Sequence, residues 1–331
     1  MTNLIDPSGN PITSYDLADY MKVKFPYVPS LVGNRVIIPS GFTLMGTWPK
    51  VGKSYLAMQL ALNRAYKEPW VGFPTTPGRT LYINCEIVSP MFQERFNTLL
   101  EEYGNPPRDT VFLADLRGRN AYLNTEEGKG TVERLINQCE PDLVILDPLS
   151  KMMEGNESDP VVMQKFLQVL AEWQAKYKVA ILLIHHFRKK PRDLKDKAAD
   201  ASMDEFSGSS LLTRDTDSII VLDGRPGTDK ITMRFDLRHD QDPKPFLIKR
   251  GDDLWWRRME GVVIPKLFHQ ALELLLPKGL TRAEWVAKIQ KLENRSPETA
   301  QRRVRESLER GYVVQKDDLL VLPPTSKEFL G

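Results

Sequence analysis

Residues 42–66, FTLMGTWPKVGKSYLAMQLALNRAY, limit what this chain can fold into more than any other stretch. An apolar, β-favouring run from Phe42 to Met45 enters a turn punctuated by Gly and Pro, which leads to Gly52-Lys53-Ser54. Beyond it Leu56, Leu60 and Leu62, with Ala57 and Ala61 between them, carry the 3.6-residue period of a helix packed on a sheet. Strand, tight turn, GKS and buried helix in this order are the context that a P-loop requires. Its chemistry is anion binding by backbone N–H groups and a helix N-terminus. The segment Trp48, Pro49, Lys50, Val51, Gly52, Lys53, Ser54 and Tyr55 is therefore expected to wrap a nucleotide's phosphates. Lys53 would reach the β and γ oxygens of ATP, and the Ser54 hydroxyl would ligate Mg²⁺. One position departs from the motif: glycine is wanted at 47, and the chain has Thr47 with Gly46 one step earlier. A β-branched residue resists positive φ, so either the turn is rearranged or Gly46 takes over the bend.

The length of 331 residues suggests about two domains, and 41% hydrophobic with 27% charged residues is ordinary for a globular chain with a large core. A net charge of +2 excludes a chain-wide polyelectrolyte binder, so any nucleic-acid surface has to be local. Cys85 and Cys139 read as buried free thiols in a reducing cytosol, and the histidines and cysteines never fall at zinc spacing. Neither a signal peptide nor an apolar run near 18 residues is found, so the expected location is cytoplasmic, with no membrane partner.

Residues 1–35 are Pro-rich and mixed, with a short helical pattern over 15–23, and read as an N-terminal arm or cap. Such an arm serves either a neighbouring subunit or its own sheet edge. A strand is expected at 35–38. RTLYINCE (79–86) reads as a buried strand that leaves the carboxylate of Glu86 at its C-terminal end, where active sites of parallel sheets lie. A helix at 90–102, a strand at 110–115 and a helix at 131–139 follow. PDLVILDPLS (141–150) ends its apolar run in Asp147, the Walker B pattern, whose carboxylate would hold the Mg²⁺ water shell opposite Ser54. After a helix ending near Tyr177, VAILLIHHF is a fourth buried strand that ends in His185-His186, a candidate phosphate sensor. Residues 188–206 are charged and aperiodic; their basic front, with Arg188, Lys189 and Lys190, suits a nucleic-acid backbone or a solvated loop equally. A Gly/Ser turn at 207–210, a short helix and a fifth strand come next, and two alternating segments up to residue 259 read as antiparallel strands extending the sheet.

A composition shift at Gly261 marks a boundary, giving an expected ATPase domain at 36–260 and a small domain at 261–331. Three helices follow, over 265–276, 281–292 and 296–310, with Thr281 and Ser296 as caps, Pro297 at the first turn and Gly311 as a stop. With the hairpin YVVQKDDLLVLP they read as a winged helix-turn-helix. Arg302, Arg303 and Arg305 on the third helix suit duplex DNA, although winged helices also serve protein contacts.

The ordered set PKVGKSYLAMQLA, LYINCE, LVILDPLS, LLIHHFRK and GSSLLTRDTDSIIVL resembles the RecA-like P-loop ATPases of the plasmid RepA-type and DnaB-type hexameric replicative helicases, an AAA_25-like group, over roughly residues 36–258. The resemblance implies an α/β fold: a mostly parallel sheet with helices on both faces and an antiparallel extension. It also implies that Glu86 polarises the attacking water, that His186 couples the γ-phosphate to DNA loops, and that Arg238 in FDLRHD completes a neighbour's ATP site. A lysine is often found two residues before that arginine, where this chain has Asp236; Arg234 or Arg214 are the substitutes. The implied protein is an ATP-hydrolysing ring or filament, a helicase or translocase of a phage, plasmid or other mobile element, with single-stranded DNA at its ATPase loops. Two other readings stay open, an ATP-switched DNA-binding regulator or loader and a RecA- or RadA-like recombinase.

Overall fold

Continuous apolar runs bounded by turns fold as strands covered on both faces, whereas alternating runs leave one face to solvent. Both kinds occur in the computed structural model, which describes residues 4–5, 11–12, 16–24, 27–186, 210–224, 226–259, 266–275, 278–293, 296–309 and 312–322. The chain begins with a small antiparallel pair, β1 (Leu4–Ile5) and β2 (Pro11–Ile12), and a single-turn helix, α1 (Leu17–Tyr20), which buries nothing. Leu17, Met21, Tyr27 and Val28 are exposed. The strand expected at 35–38 is absent. Asn34 and Arg35 take left-handed φ of 57° and 55°, so the chain reverses there, and Val36 and Ile37 are buried with only isolated bridges from Val32 to Ile37 and Thr75.

The main sheet is built from β3 (Phe42–Thr47), β4 (Thr80–Asn84), β5 (Val111–Asp115), β6 (Leu143–Asp147), β7 (Ala180–His186), β8 (Ser218–Asp223), β9 (Lys230–Leu237), β10 (Phe246–Arg250) and β11 (Trp256–Arg258). Their order is β11-β10-β9-β8-β3-β7-β6-β4-β5; the strands from β8 to β5 run parallel and the other three are antiparallel. This is the expected RecA-like P-loop core with its antiparallel extension. Every residue of β3, β4 and β6 is buried, while β9 alternates, as an extension with one wet face must.

Alternation along the strands divides the interior into two layers. Met45, Tyr82, Ile145 and Leu182 face α2 (Lys53–Tyr66) and α3 (Ser89–Tyr103). Leu44, Leu81, Val144 and Leu183 face α4 (Glu126–Cys139) and α5 (Pro160–Tyr177). Helix α4 starts five residues before the apolar period suggests, because Thr125 accepts from the Gly128 N–H and caps it there. Gly128 hides that start in the sequence, yet a Cβ on it would stand 2.2 Å from the Tyr122 carbonyl oxygen. A short α6 (Ser210–Arg214) precedes β8. The charged stretch at 188–206 and the turn at 207–209 lie outside the described residues.

The P-loop helix α2 is almost entirely enclosed, polar residues included. Gln59 pairs with the Trp256 backbone twice, its Nε2 donating to the carbonyl and its Oε1 accepting from the N–H, each at 2.8 Å. The fully buried Arg64 donates to both oxygens of Asp142 at 2.8 Å, and to the Thr80 hydroxyl and the Thr76 carbonyl. These bonds anchor the far end of α2 to the start of the sheet.

Toward the C-terminus lie α7 (Lys266–Glu273), α8 (Arg282–Glu293), α9 (Pro297–Glu309) and the hairpin β12 (Val314–Lys316) with β13 (Leu319–Val321). Thr281 and Glu284 form a reciprocal capping box at α8, and Ser296 caps α9 through the Thr299 N–H. These elements have a hydrophobic cluster of their own, centred on Trp285, Ile289, Val304 and Leu320. Gly261, Pro265 and Gly311 lie outside the described residues.

The Arg64 anchor is testable. Asp142→Ala leaves a buried guanidinium without its counter-charge, which costs about 3–5 kcal/mol in such pairs. A value near the lower end is expected, since the Asp142 side chain is 43% exposed. Urea unfolding measures it; a loss under about 1 kcal/mol, the range of surface pairs, would show that the anchor is unimportant.

Candidate active site

The loop between β3 and α2 resolves the departure at Thr47. Thr47 is the last residue of β3, fully buried and paired in register with His186 of β7. Neither it nor Gly46 supplies the bend. Lys50, with φ of 64°, and Gly52, with φ of 111°, do so instead. Gly52 is required twice over, because a Cβ there would stand 2.7 Å from the Trp256 ring. The β8–β9 loop touches the same segment, the Gly227 N–H donating to the Lys50 carbonyl at 3.3 Å.

Lys53, at the first turn of α2, is buried. Its Nζ lies 3.0 Å from Nδ1 of His186 and 3.5 Å from the Trp48 carbonyl. An ammonium only donates, so Nδ1 accepts and the imidazole proton belongs on Nε2. That nitrogen faces Glu86, 3.7 Å from Oε2. The nearby His186 imidazole is the largest influence holding the Glu86 carboxyl below its ordinary value, against partial burial. Burial drops the Lys53 ammonium to about 8, against the pull of Asp147 and Glu86. It is still mostly charged at pH 7, and its attraction for phosphate fades as the pH passes 8.

Glu86 is exposed, but the loop carrying it is stiff. The Asn84 side chain accepts from the Glu86 and Ile87 N–H groups and donates to the Ile87 carbonyl and Asp115. The Cys85 N–H donates to the Asp147 carbonyl at 2.9 Å, tying the loop to the Walker B strand. Burial and the nearby Asp147 and Asp115 push the Cys85 thiol up to about 12, so it is inert.

Asp147 is wholly buried at the end of β6. Its Oδ2 accepts from the Tyr82 phenol at 2.5 Å, and Oδ1 has no hydrogen-bond partner. Burial raises its carboxyl above the ordinary value, opposed by the hydrogen bond from Tyr82 and by the nearby Ser54 hydroxyl. A buried carboxylate oxygen without a partner, beside a serine hydroxyl, is a hard oxygen donor set that fits Mg²⁺. Two carboxylates facing one ammonium make a divalent cation suit the charge balance as well. Among the described residues no cluster of three or more His, Cys, Asp or Glu offers another metal site.

Residues that sequence reasoning missed gather around Tyr55. The Arg95 guanidinium stacks on its ring at 4.7 Å, and that of Arg250 lies 5.4 Å from the same ring and 5.5 Å from Trp256. Arg95 had a weak signal, standing nine residues after Glu86 on an amphipathic helix. Arg250 and Trp256 had none, since only the antiparallel extension brings them here. Val51 is part of the core, so it offers a ligand its backbone alone.

Arg238 lies elsewhere. It follows β9 rather than lying on it, beside the start of β8, its N–H donating to the Asp217 carbonyl and its guanidinium to the Arg214 carbonyl. Because β8 is parallel to β3, this is the end of the sheet away from Lys53 of the same chain. Arg234 faces Asp223 at 3.7 Å. Arg302 and Arg305 share a face of α9 and line a cavity of about 420 Å³ together with Arg282 of α8; Arg303 does not line it. Arg188, Lys189 and Lys190 lie outside the described residues.

No curated protein matches the chain. Among solved structures the chain is similar to the KaiC-like protein PH0186 from the hyperthermophilic archaeon Pyrococcus horikoshii OT3, with 13% identity, 70% of this chain and 98% of that chain covered, and a TM-score of 0.47. The family model of the AAA domain (AAA_25) matches residues 11–192, more than half of the sequence and all of β3 to β7. The P-loop, Glu86, Asp147 and His186 all fall within that match, and the chain belongs to this AAA domain family of P-loop ATPases.

Proposed function

We propose that this chain is an oligomeric, DNA-dependent ATPase motor of the replicative helicase or translocase kind, using ATP with Mg²⁺. The observation that carries the reading is the contact chain from Lys53 through His186 to Glu86 at the ends of adjacent strands, with Asp147 beside it. Lys53 is the ligand for the β and γ oxygens, and Glu86 polarises the attacking water. Ser54 and Asp147 hold Mg²⁺, which supplies charge neutralisation at the phosphates when bound. His186 senses the nucleotide: a lysine turned toward phosphate leaves Nδ1 free, just before the basic segment that begins at Arg188. Arg95 and Tyr55 border the space beyond the phosphates.

Arg238 is proposed as the finger for a neighbouring subunit, a role supported by its distance from its own P-loop; such arginines add about 10³–10⁵ in rate. Residues 261–331 are proposed as a winged-helix unit that binds duplex DNA through Arg302 and Arg305, joined by Arg282 in place of Arg303. Their common cavity and their charge support this.

Glu86→Gln is expected to bind Mg²⁺–ATP normally while hydrolysis stops, because an amide fits the space but does not polarise water. Loss of nucleotide binding would make Glu86 a structural residue. Mixed with Arg238→Ala chains, Glu86→Gln chains are expected to regain turnover, as some interfaces then pair an intact Glu86 with an intact Arg238. Absence of recovery at every ratio, with assembly verified by light scattering, would remove Arg238 as a trans finger.

Replacing Arg282, Arg302 and Arg305 together by Ala is expected to weaken duplex binding. It should also flatten the dependence of log K on log salt by about one unit per lost phosphate contact. Fluorescence anisotropy measures both, and an unchanged slope would take nucleic acid off this face.

A further inference from the structure

We propose that Tyr82 is a positioning residue for Asp147: its phenol occupies one carboxylate oxygen and so dedicates the other to the cation that accompanies a bound nucleotide. The proposal rests on the ATP-site reading above. Strand β4 lies directly beside β6, with Tyr82 in register with Ile145 and Asn84 with Asp147. The two-residue period puts Tyr82 and Asp147 on the face covered by α2 and α3. The Tyr82 ring is held there against both Phe92 and Phe96, with centroids at 5.5 and 6.4 Å, and is fully buried.

A phenol so placed has its hydroxyl aimed along one path. It donates to Oδ2 of Asp147 at 2.5 Å, and the Ser54 hydroxyl lies near both groups. Oδ1 is left buried and without a partner. An apolar core needs no hydroxyl at this position; phenylalanine would pack against Phe92 and Phe96 equally well. Without the phenol, a carboxylate rotates about its terminal torsion and exchanges its two oxygens. Partners that fix a metal-binding carboxylate from behind typically account for 10–100-fold in metal affinity.

The test compares Tyr82→Phe with the unchanged chain by calorimetric titration of a non-hydrolysable ATP analogue, in excess Mg²⁺ and again in EDTA. The gain in nucleotide affinity on adding Mg²⁺ is expected to shrink about tenfold or more in Tyr82→Phe, with the EDTA affinity unchanged. In an Asp147→Asn background, Tyr82→Phe is expected to change nothing further, because it acts through the carboxylate. A full Mg²⁺ effect in Tyr82→Phe would overturn the proposal. So would an equal loss in Mg²⁺ and EDTA, the signature of a merely structural tyrosine, or an undiminished effect in the Asp147→Asn background. If the unchanged chain binds no analogue under either condition, the ATP-site reading itself falls. A normal unchanged chain with an unaffected Tyr82→Phe removes only the role of Tyr82.

Discussion

An ammonium group taken out of water is expensive unless charge and hydrogen bonds replace the lost hydration. Lys53 is such a group, and the surrounding end of the sheet is arranged to hold it. His186 accepts from it, the Trp48 carbonyl lies near, and Asp147 and Glu86 favour its charge without fully offsetting burial. The lysine is thus poised: charged at neutral pH, incompletely satisfied, and improved by any phosphate that arrives. A surface lysine with full hydration would gain far less.

That arrangement depends on α2 being fixed at both ends. At its start, Gly52 passes under the Trp256 ring, and Gln59 binds the Trp256 backbone, so the antiparallel extension clamps the loop from above. At its finish, Arg64 binds Asp142, Thr80 and Thr76. The β9–β11 extension therefore does more than widen the sheet. It roofs the P-loop, and it brings Arg250 to the ring of Tyr55 beside Arg95.

Much of this was legible in the sequence because it is local. The period of α2, the apolar run of β6 and the residue types closing β4, β6 and β7 put Lys53, Glu86, Asp147 and His186 at one end of a parallel sheet, and there they lie. What was not legible is contact between distant segments. Tyr82 in an apolar strand reads as core until the β4–β6 register sets its phenol against Asp147. Trp256 lies in a segment that reads only as an alternating antiparallel strand until the sheet carries it over Gly52. The apolar residues at 36–38 read as a strand, but the left-handed backbone at Asn34 and Arg35, of which only Asn34 is a turn signal, turns them into a buried reversal. On α9, the i, i+3 spacing already puts Arg302 and Arg305 on one face, but only the structure brings Arg282 of α8 to join them.

The central claim is that Lys53 is the phosphate ligand of an ATP site, and equilibrium binding of Mg²⁺–ATP to Lys53→Ala tests it most directly. The account predicts a folded protein with an unchanged unfolding midpoint that has lost most of its affinity, since Lys50, the other cation of the loop, is exposed beyond the Gly52 turn. Undiminished binding by Lys53→Ala would contradict it.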